Sequence, residues 1–212
     1  LRGQVDPSIG TVREIAAACG VQLDLTTRPA SDPDAAAAAR SLVGDDYEPS
    51  STPALEAWRE RLRRYAGSDP VAVTIEAARA SSPLDRPDAV LLAGEVPLGR
   101  LASAGDASKA DWAISGAAGL YLPDTADPAP PVTFLWTGDL RAVMHLLASS
   151  PLRRVQYASE AAVAVIPAEP ELFQGTFTER HIRYTTPIQI MMDCIAQGGE
   201  VADAAIQEVR TW

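Results

Sequence analysis

A chain of 212 residues, 47% of them hydrophobic, is long and apolar enough to bury a sizeable core. A net charge of −10 and a pI near 4.6 exclude a surface that grips nucleic acid over its whole extent, so any such contact is local. No window approaches the roughly 18 apolar residues of a membrane span, and residues 1–10 lack the basic start and apolar run of a signal peptide.

In chain order, Asp6 can cap a first helix with Pro7 at its first position. Ile9, Val12, Ile15, Ala16 and Cys19 then repeat at helical spacing until Gly20 stops the run. Val21 to Leu25 alternates like a short strand. Asp32 caps a second helix through the alanine run to about Val43. Residues 44–53, rich in turn formers and acids, read as a linker. Leu55, Trp58, Leu62 and Tyr65 mark one apolar face of a third helix, a face that could serve a dimer. Arg59, Arg61, Arg63 and Arg64 sit elsewhere around it, interleaved with Glu56 and Glu60 and without aromatics on their face. That pattern favours a solvated surface over a nucleic-acid interface. Asp69-Pro70 opens a fourth helix to about Ala80.

A larger domain starts by about Pro87. Ala89 to Ala93 is a short apolar strand, and Gly94 to Gly105 reads as loop with a helical turn at Leu98 to Leu101. Asp111 to Ala118 is a buried segment that enters a helix around Gly116, and Pro123 to Pro131 is a proline-rich loop. Val132 to Trp136 is a strand by its β-branched and aromatic content. Asp139 caps a helix whose core face is Leu140, Val143, Met144 and Leu147. Val155 to Tyr157, Val163 to Ile166 and His181 to Tyr184 read as strands. Thr186-Pro187 starts a helix that Gly198-Gly199 ends, and Val201 to Val209 is the last helix. The pattern predicts an α/β (α+β) protein: a small N-terminal helical segment, residues 1–43; a linker and helical connector, 44–86; and a mixed-sheet domain with flanking helices, 87–212.

Catalytic signatures are scarce. There is no phosphate-binding Gly-Lys-Ser/Thr loop, no Gly-x-Ser-x-Gly elbow and no His-Glu-x-x-His helix. His145 and His181 lie on an expected helix and strand without a neighbouring carboxylate or cysteine, so both read as surface or satisfied histidines. Cys19 and Cys194, in apolar helix-like surroundings, read as buried thiols of a reducing, cytoplasmic protein. Ile114 to Ala118, followed by Phe134 to Asp139, resembles the opening of a nucleotidyltransferase domain. There, a glycine-bearing helix start holds phosphates and paired carboxylates hold metals. Only Asp139 stands near the expected strand end, and one carboxylate builds no two-metal site. Gly116 therefore reads as a close helix–strand contact and Asp139 as a helix cap. No catalytic residue, metal or cofactor is expected.

Two longer resemblances bear on function. Arg2-Gly3-Gln4-Val5-Asp6-Pro7-Ser8 and the helix through Cys19-Gly20-Val21 resemble the second half of a lambda-repressor-like (XRE-type) helix-turn-helix. In that family an Arg-Gly turn follows the recognition helix, which this likeness places before Leu1. It implies weak, phosphate-type DNA contacts from Arg2, Gln4, Ser8 and Arg13. Residues 88–212, through Asp111 to Ala118, a later strand, Tyr184 to Asp193 and Gly198-Gly199, resemble the C-terminal domain of AbiEi-type antitoxins. That family usually carries a winged helix in front. Together the two imply a DNA-binding transcriptional regulator, the antitoxin and autorepressor of an abortive-infection toxin–antitoxin system. The expected partners are operator DNA, with a homodimer and a toxin left open, and no membrane. The likeness gives Asp193 a capping or pairing role in the core. The alternatives are a divergent or inactive nucleotidyltransferase-like enzyme domain and a plain dimerisation domain.

Overall fold

Short runs dense in β-branched and aromatic residues build the centre of the molecule, and a repeated cap code sets the helices around it. The structure, a computed structural model, describes residues 7–27, 30–44, 49–121 and 132–212. The strands are β1 (Val90–Ala93), β2 (Trp112–Gly116), β3 (Thr133–Thr137), β4 (Arg153–Arg154), β5 (Val163–Pro167), β6 (Phe177–Glu179) and β7 (Ile182–Tyr184). They form one seven-stranded mixed sheet in the order β4-β1-β5-β3-β2-β7-β6. β3 pairs β5 and β2 pairs β7 in parallel, and the remaining pairs are antiparallel. All of β2 and β3 is buried, which is why their sequences read as unbroken apolar runs. Successive side chains alternate between faces. Ile114, Leu135, Val163 and Val165 enter one core, while Ala113, Phe134, Trp136, Ala164 and Ile166 enter another.

The helices are α1 (Ile9–Ala18), α2 (Pro33–Val43), α3 (Pro53–Ala66), α4 (Pro70–Ala80), α5 (Leu98–Ser108), α6 (Ala117–Leu120), α7 (Leu140–Leu147), α8 (Pro187–Gln197) and α9 (Gly199–Val209). Asp32, Thr52, Asp69 and Thr186 each accept a backbone N–H and precede a proline at the first helical position of α2, α3, α4 and α8. Asp139 caps α7 through the Ala142 N–H at 2.9 Å, as its position in the sequence predicts. The architecture is therefore mixed α/β, with helices flanking a mixed sheet.

Helix α8 joins the parts. Ile188 through Cys194 are buried all the way round, the pattern of a helix with no solvent face. Ile190, Met191 and Cys194 pack into the core with β2 and α9, whereas Ile188 and Met192 pack with α2, α3 and α4. Gln189 and Asp193 turn toward the sheet face carrying Ser115 and Trp136.

Several expectations need correction. Helix α1 begins at Ile9 with Ser8 as cap, while Asp6 lies outside the described residues. Val21 to Leu25 forms no strand and has no ladder partner among the described residues. The expected loop at 94–105 is largely α5. Gly105 is no breaker there: the Trp112 indole packs where a Cβ would stand, and the Trp112 Nε1 donates to Asp106 at 2.9 Å. The strand expected at Val155 to Tyr157 is displaced to Arg153–Arg154, where the backbone can pair with Leu92 and Ala93. His181 is in a turn, not a strand. It and Arg180 form a two-residue connection between β6 and β7, both at positive φ (67° and 47°).

The apolar stripe of α3 is not available to a dimer as a unit. Leu55 and Leu62 are buried within the chain against α2 and α4, and Tyr65 is exposed. Cys194 is buried, but Cys19 is exposed, because none of α1 is buried. The proline-rich loop at Pro123 to Pro131 and residues 45–48 of the linker lie outside the described residues.

Candidate functional site

The residues expected to touch DNA begin with Arg2 and Gln4, which lie outside the described residues. Ser8 and Arg13 are described, and both are exposed. The Ser8 hydroxyl is committed locally. It accepts the Thr11 N–H at 3.2 Å and lies 3.0 Å from the Thr11 hydroxyl, so its role is to start α1. Arg13 lies one turn further on. With Ile9, Glu14, Val21 and Leu25 it borders an open groove between α1 and the segment that follows. Ile9, Ile15, Val21 and Leu25 are 45–64% exposed, so the apolar side of this element is uncovered.

The arginines of α3 are mostly tied down. Arg59 pairs with Glu56 at 2.6 Å and donates to Ser41, and Arg64 pairs with Glu60 at 2.6 Å. Arg61 differs from expectation. Its guanidinium lies 5.0 Å from the Trp58 ring and 5.7 Å from the Tyr65 ring, so aromatics do flank it.

The densest polar chemistry lies elsewhere, where α8 meets β2 and β3. The buried Asp193 carboxylate accepts three hydrogen bonds: Ser115 Oγ at 2.6 Å, Trp136 Nε1 at 3.0 Å and Gln189 Nε2 at 2.8 Å. Burial pushes its pKa up to about 6, against the three donors and the Arg86 charge, which favour the carboxylate. Gln189 spends its amide nitrogen on Asp193. Its oxygen is buried and has no hydrogen-bond partner. Ser115 is fully buried and bound to Asp193, a structural hydroxyl rather than a nucleophile. Gly116 has φ +77°, and a Cβ there would meet Phe134 at 2.8 Å and the Gln197 amide nitrogen at 2.9 Å. That is the close contact its position in the sequence predicts.

Beside this network is a cleft of about 200 Å³. Its walls are α2, the start of α3, Arg86, Trp136, Gln189 and the turn after β5. Arg86 lies over the Trp136 ring at 5.6 Å. Among the described residues it has no carboxylate within ion-pair distance, and burial lowers its pKa against the fields of Asp88 and Asp193. At the rim, burial and then Asp32 raise the Asp34 carboxyl. Arg40, almost wholly buried, donates to the backbone carbonyls of Glu171 at 3.2 Å and Gln174 at 2.8 Å, fastening α2 to the turn after β5.

Of this network and the cleft beside it, the sequence singled out only Asp193, as a capping or pairing residue of the core. Trp136 and Gln189 fall inside segments that carry a resemblance but have no role in it, Arg86 carries no motif, and the fold brings them together by way of β3 and α8. Among the described residues, no three of His, Cys, Asp and Glu come together as a metal-binding group, and no helix is long and apolar enough to cross a membrane. No family model, curated protein or solved structure matches the chain.

Proposed function

We propose that this protein is a DNA-binding transcriptional regulator, and within that class the antitoxin and autorepressor of a toxin–antitoxin pair. The observation that supports the reading is α1. It is a Ser8-capped helix, none of its residues is buried, and Ile9, Ile15, Val21 and Leu25 stay uncovered. Such an element belongs to a separate module beside the α/β body. Its order of turn, Pro-Ser, apolar helix and glycine resembles the XRE helix-turn-helix. The body, with a whole-chain charge of −10, repels DNA, which restricts contact to the α1 side and to Arg13 there.

The test is fluorescence anisotropy of the full-length gene product with duplex DNA taken from upstream of its own coding sequence. The expected result is salt-sensitive binding that Arg13→Glu weakens on every sequence alike, with a salt slope lower by about one. No binding at low salt sinks the proposal. Protection of cells from the product of the adjacent gene tests the antitoxin part separately.

A further inference from the structure

The cleft between α2 and β3 combines features that a packed core does not tolerate without reason. Gln189, 1% exposed, is among the residues of the cleft wall, and its buried amide oxygen has no hydrogen-bond donor. An orphaned acceptor of this kind costs free energy unless something supplies an N–H or O–H. Arg86 lines the same cleft, its guanidinium carbon 5.6 Å from the Trp136 ring centre, with no ion-pair carboxylate among the described residues. Asp34 and Glu169 stand at the rim with the opposite sign. Between these poles the wall is apolar, with Ala37 and Leu55 prominent.

We propose that this cleft binds a free α-amino acid with an apolar side chain. The carboxylate pairs with the Arg86 guanidinium, and the ammonium group, under the field of Asp34, Glu169 and Glu171, meets the Gln189 amide oxygen once that buried side chain turns toward the cleft. The side chain lies on the apolar wall. The cleft carries both signs, Arg86 and Arg40 against Asp34, Glu169 and Glu171, which suits a zwitterion better than a simple anion or cation. The volume of about 200 Å³ accommodates one amino acid. The proposal goes beyond DNA binding and does not depend on it.

Isothermal titration calorimetry on the whole protein tests it, with leucine, methionine, valine and phenylalanine as probes. Leucinamide, 4-methylpentanoate and inorganic phosphate are the controls. At least one of the four amino acids is expected to bind more tightly than about 10 mM, with its carboxylate-free and ammonium-free analogues at least roughly tenfold weaker. Arg86→Gln is expected to weaken that binding by roughly tenfold or more, with unchanged circular dichroism. Ala37→Phe, which adds bulk to the cleft wall and leaves Arg86 and Gln189 in place, is expected to abolish it. If Arg86→Gln does not fold, Ala37→Phe decides alone. The proposal is overturned if none of the four amino acids binds, if phosphate binds in their place, or if either folded variant binds as well as the unaltered protein.

Discussion

The Ser115 hydroxyl donates to the Asp193 carboxylate at 2.6 Å across 78 residues of sequence, joining the end of β2 to the middle of α8. The bond is buried, so neither partner can exchange the other for water. Removing either leaves a polar group stranded, a loss of about 1–3 kcal/mol for each orphan. Asp193→Ala orphans donors from Ser115, Trp136 and Gln189 together and is expected to destabilise by about 3–5 kcal/mol, read as a fall in the urea midpoint.

Asp193→Asn behaves differently. Its oxygen accepts from Ser115 and Trp136, and its nitrogen can donate to the Gln189 oxygen once that amide rotates. The pH dependence follows from the raised pKa. Asp193 titrates at about 6 in the folded chain against an ordinary value of 3.8, so the folded state holds the proton more tightly. Its contribution is fully present below the unfolded value and is lost as pH rises through about 6. Stability measured from pH 4 to 7 should therefore shift in favour of Asp193→Asn over the unaltered protein, by roughly 3 kcal/mol at most. Parallel curves for the two proteins would show that Asp193 is not the titrating group.

The β6–β7 turn carries Arg180 and His181 at φ 47° and 67°, a conformation that two-residue hairpins usually give to Asn-Gly. Side chains with a Cβ are disfavoured there. The double substitution Arg180→Asn, His181→Gly is expected to raise stability by about 1 kcal/mol, seen as a higher midpoint with an unchanged m-value. A lower midpoint would mean that Arg180 or His181 makes contacts worth more than the strain.

The two thiols should separate cleanly. Cys19 is exposed on the end of α1, whereas Cys194 is buried in α8 and burial pushes its thiol pKa up. Iodoacetamide under native conditions is expected to label Cys19 alone, and both cysteines in denaturant. Equal labelling in the native state, checked by peptide mass, would contradict the placement of α8.

Gly116→Ala meets two obstacles together: a positive φ and contacts at 2.8 and 2.9 Å with Phe134 and Gln197. The expected cost is about 2 kcal/mol or more, measured by thermal or urea unfolding. Little or no loss would mean that Phe134 and Gln197 yield easily.

The element code was largely legible in the residues. Asp32, Asp69 and Thr186-Pro187 announce their helices because a cap and a proline act within one turn. Val132 to Trp136 and Val163 to Ile166 announce β3 and β5 because full burial writes itself as an apolar run. What escaped depended on distant partners. Gly105 looks like a breaker until Trp112 is packed on it, and Arg153–Arg154 becomes a strand only beside Leu92 and Ala93. The cleft escaped for the same reason, since Arg86 and Gln189 are ordinary residues until Trp136 and Asp193 stand between them.

Helix α8 also sets an order of events during synthesis. The helices α2 to α4 and the central strands are translated well before residues 187–197, yet each waits for Ile188, Met192, Ile190 or Asp193 to close its apolar surface. A ribosome-bound chain that has not yet released α8 carries two incomplete cores. It exposes Leu55, Leu62 and Val73 on one side and Ile114 and Tyr184 on the other. Folding is thus gated by a late segment, with long loops to close before the decisive contacts form.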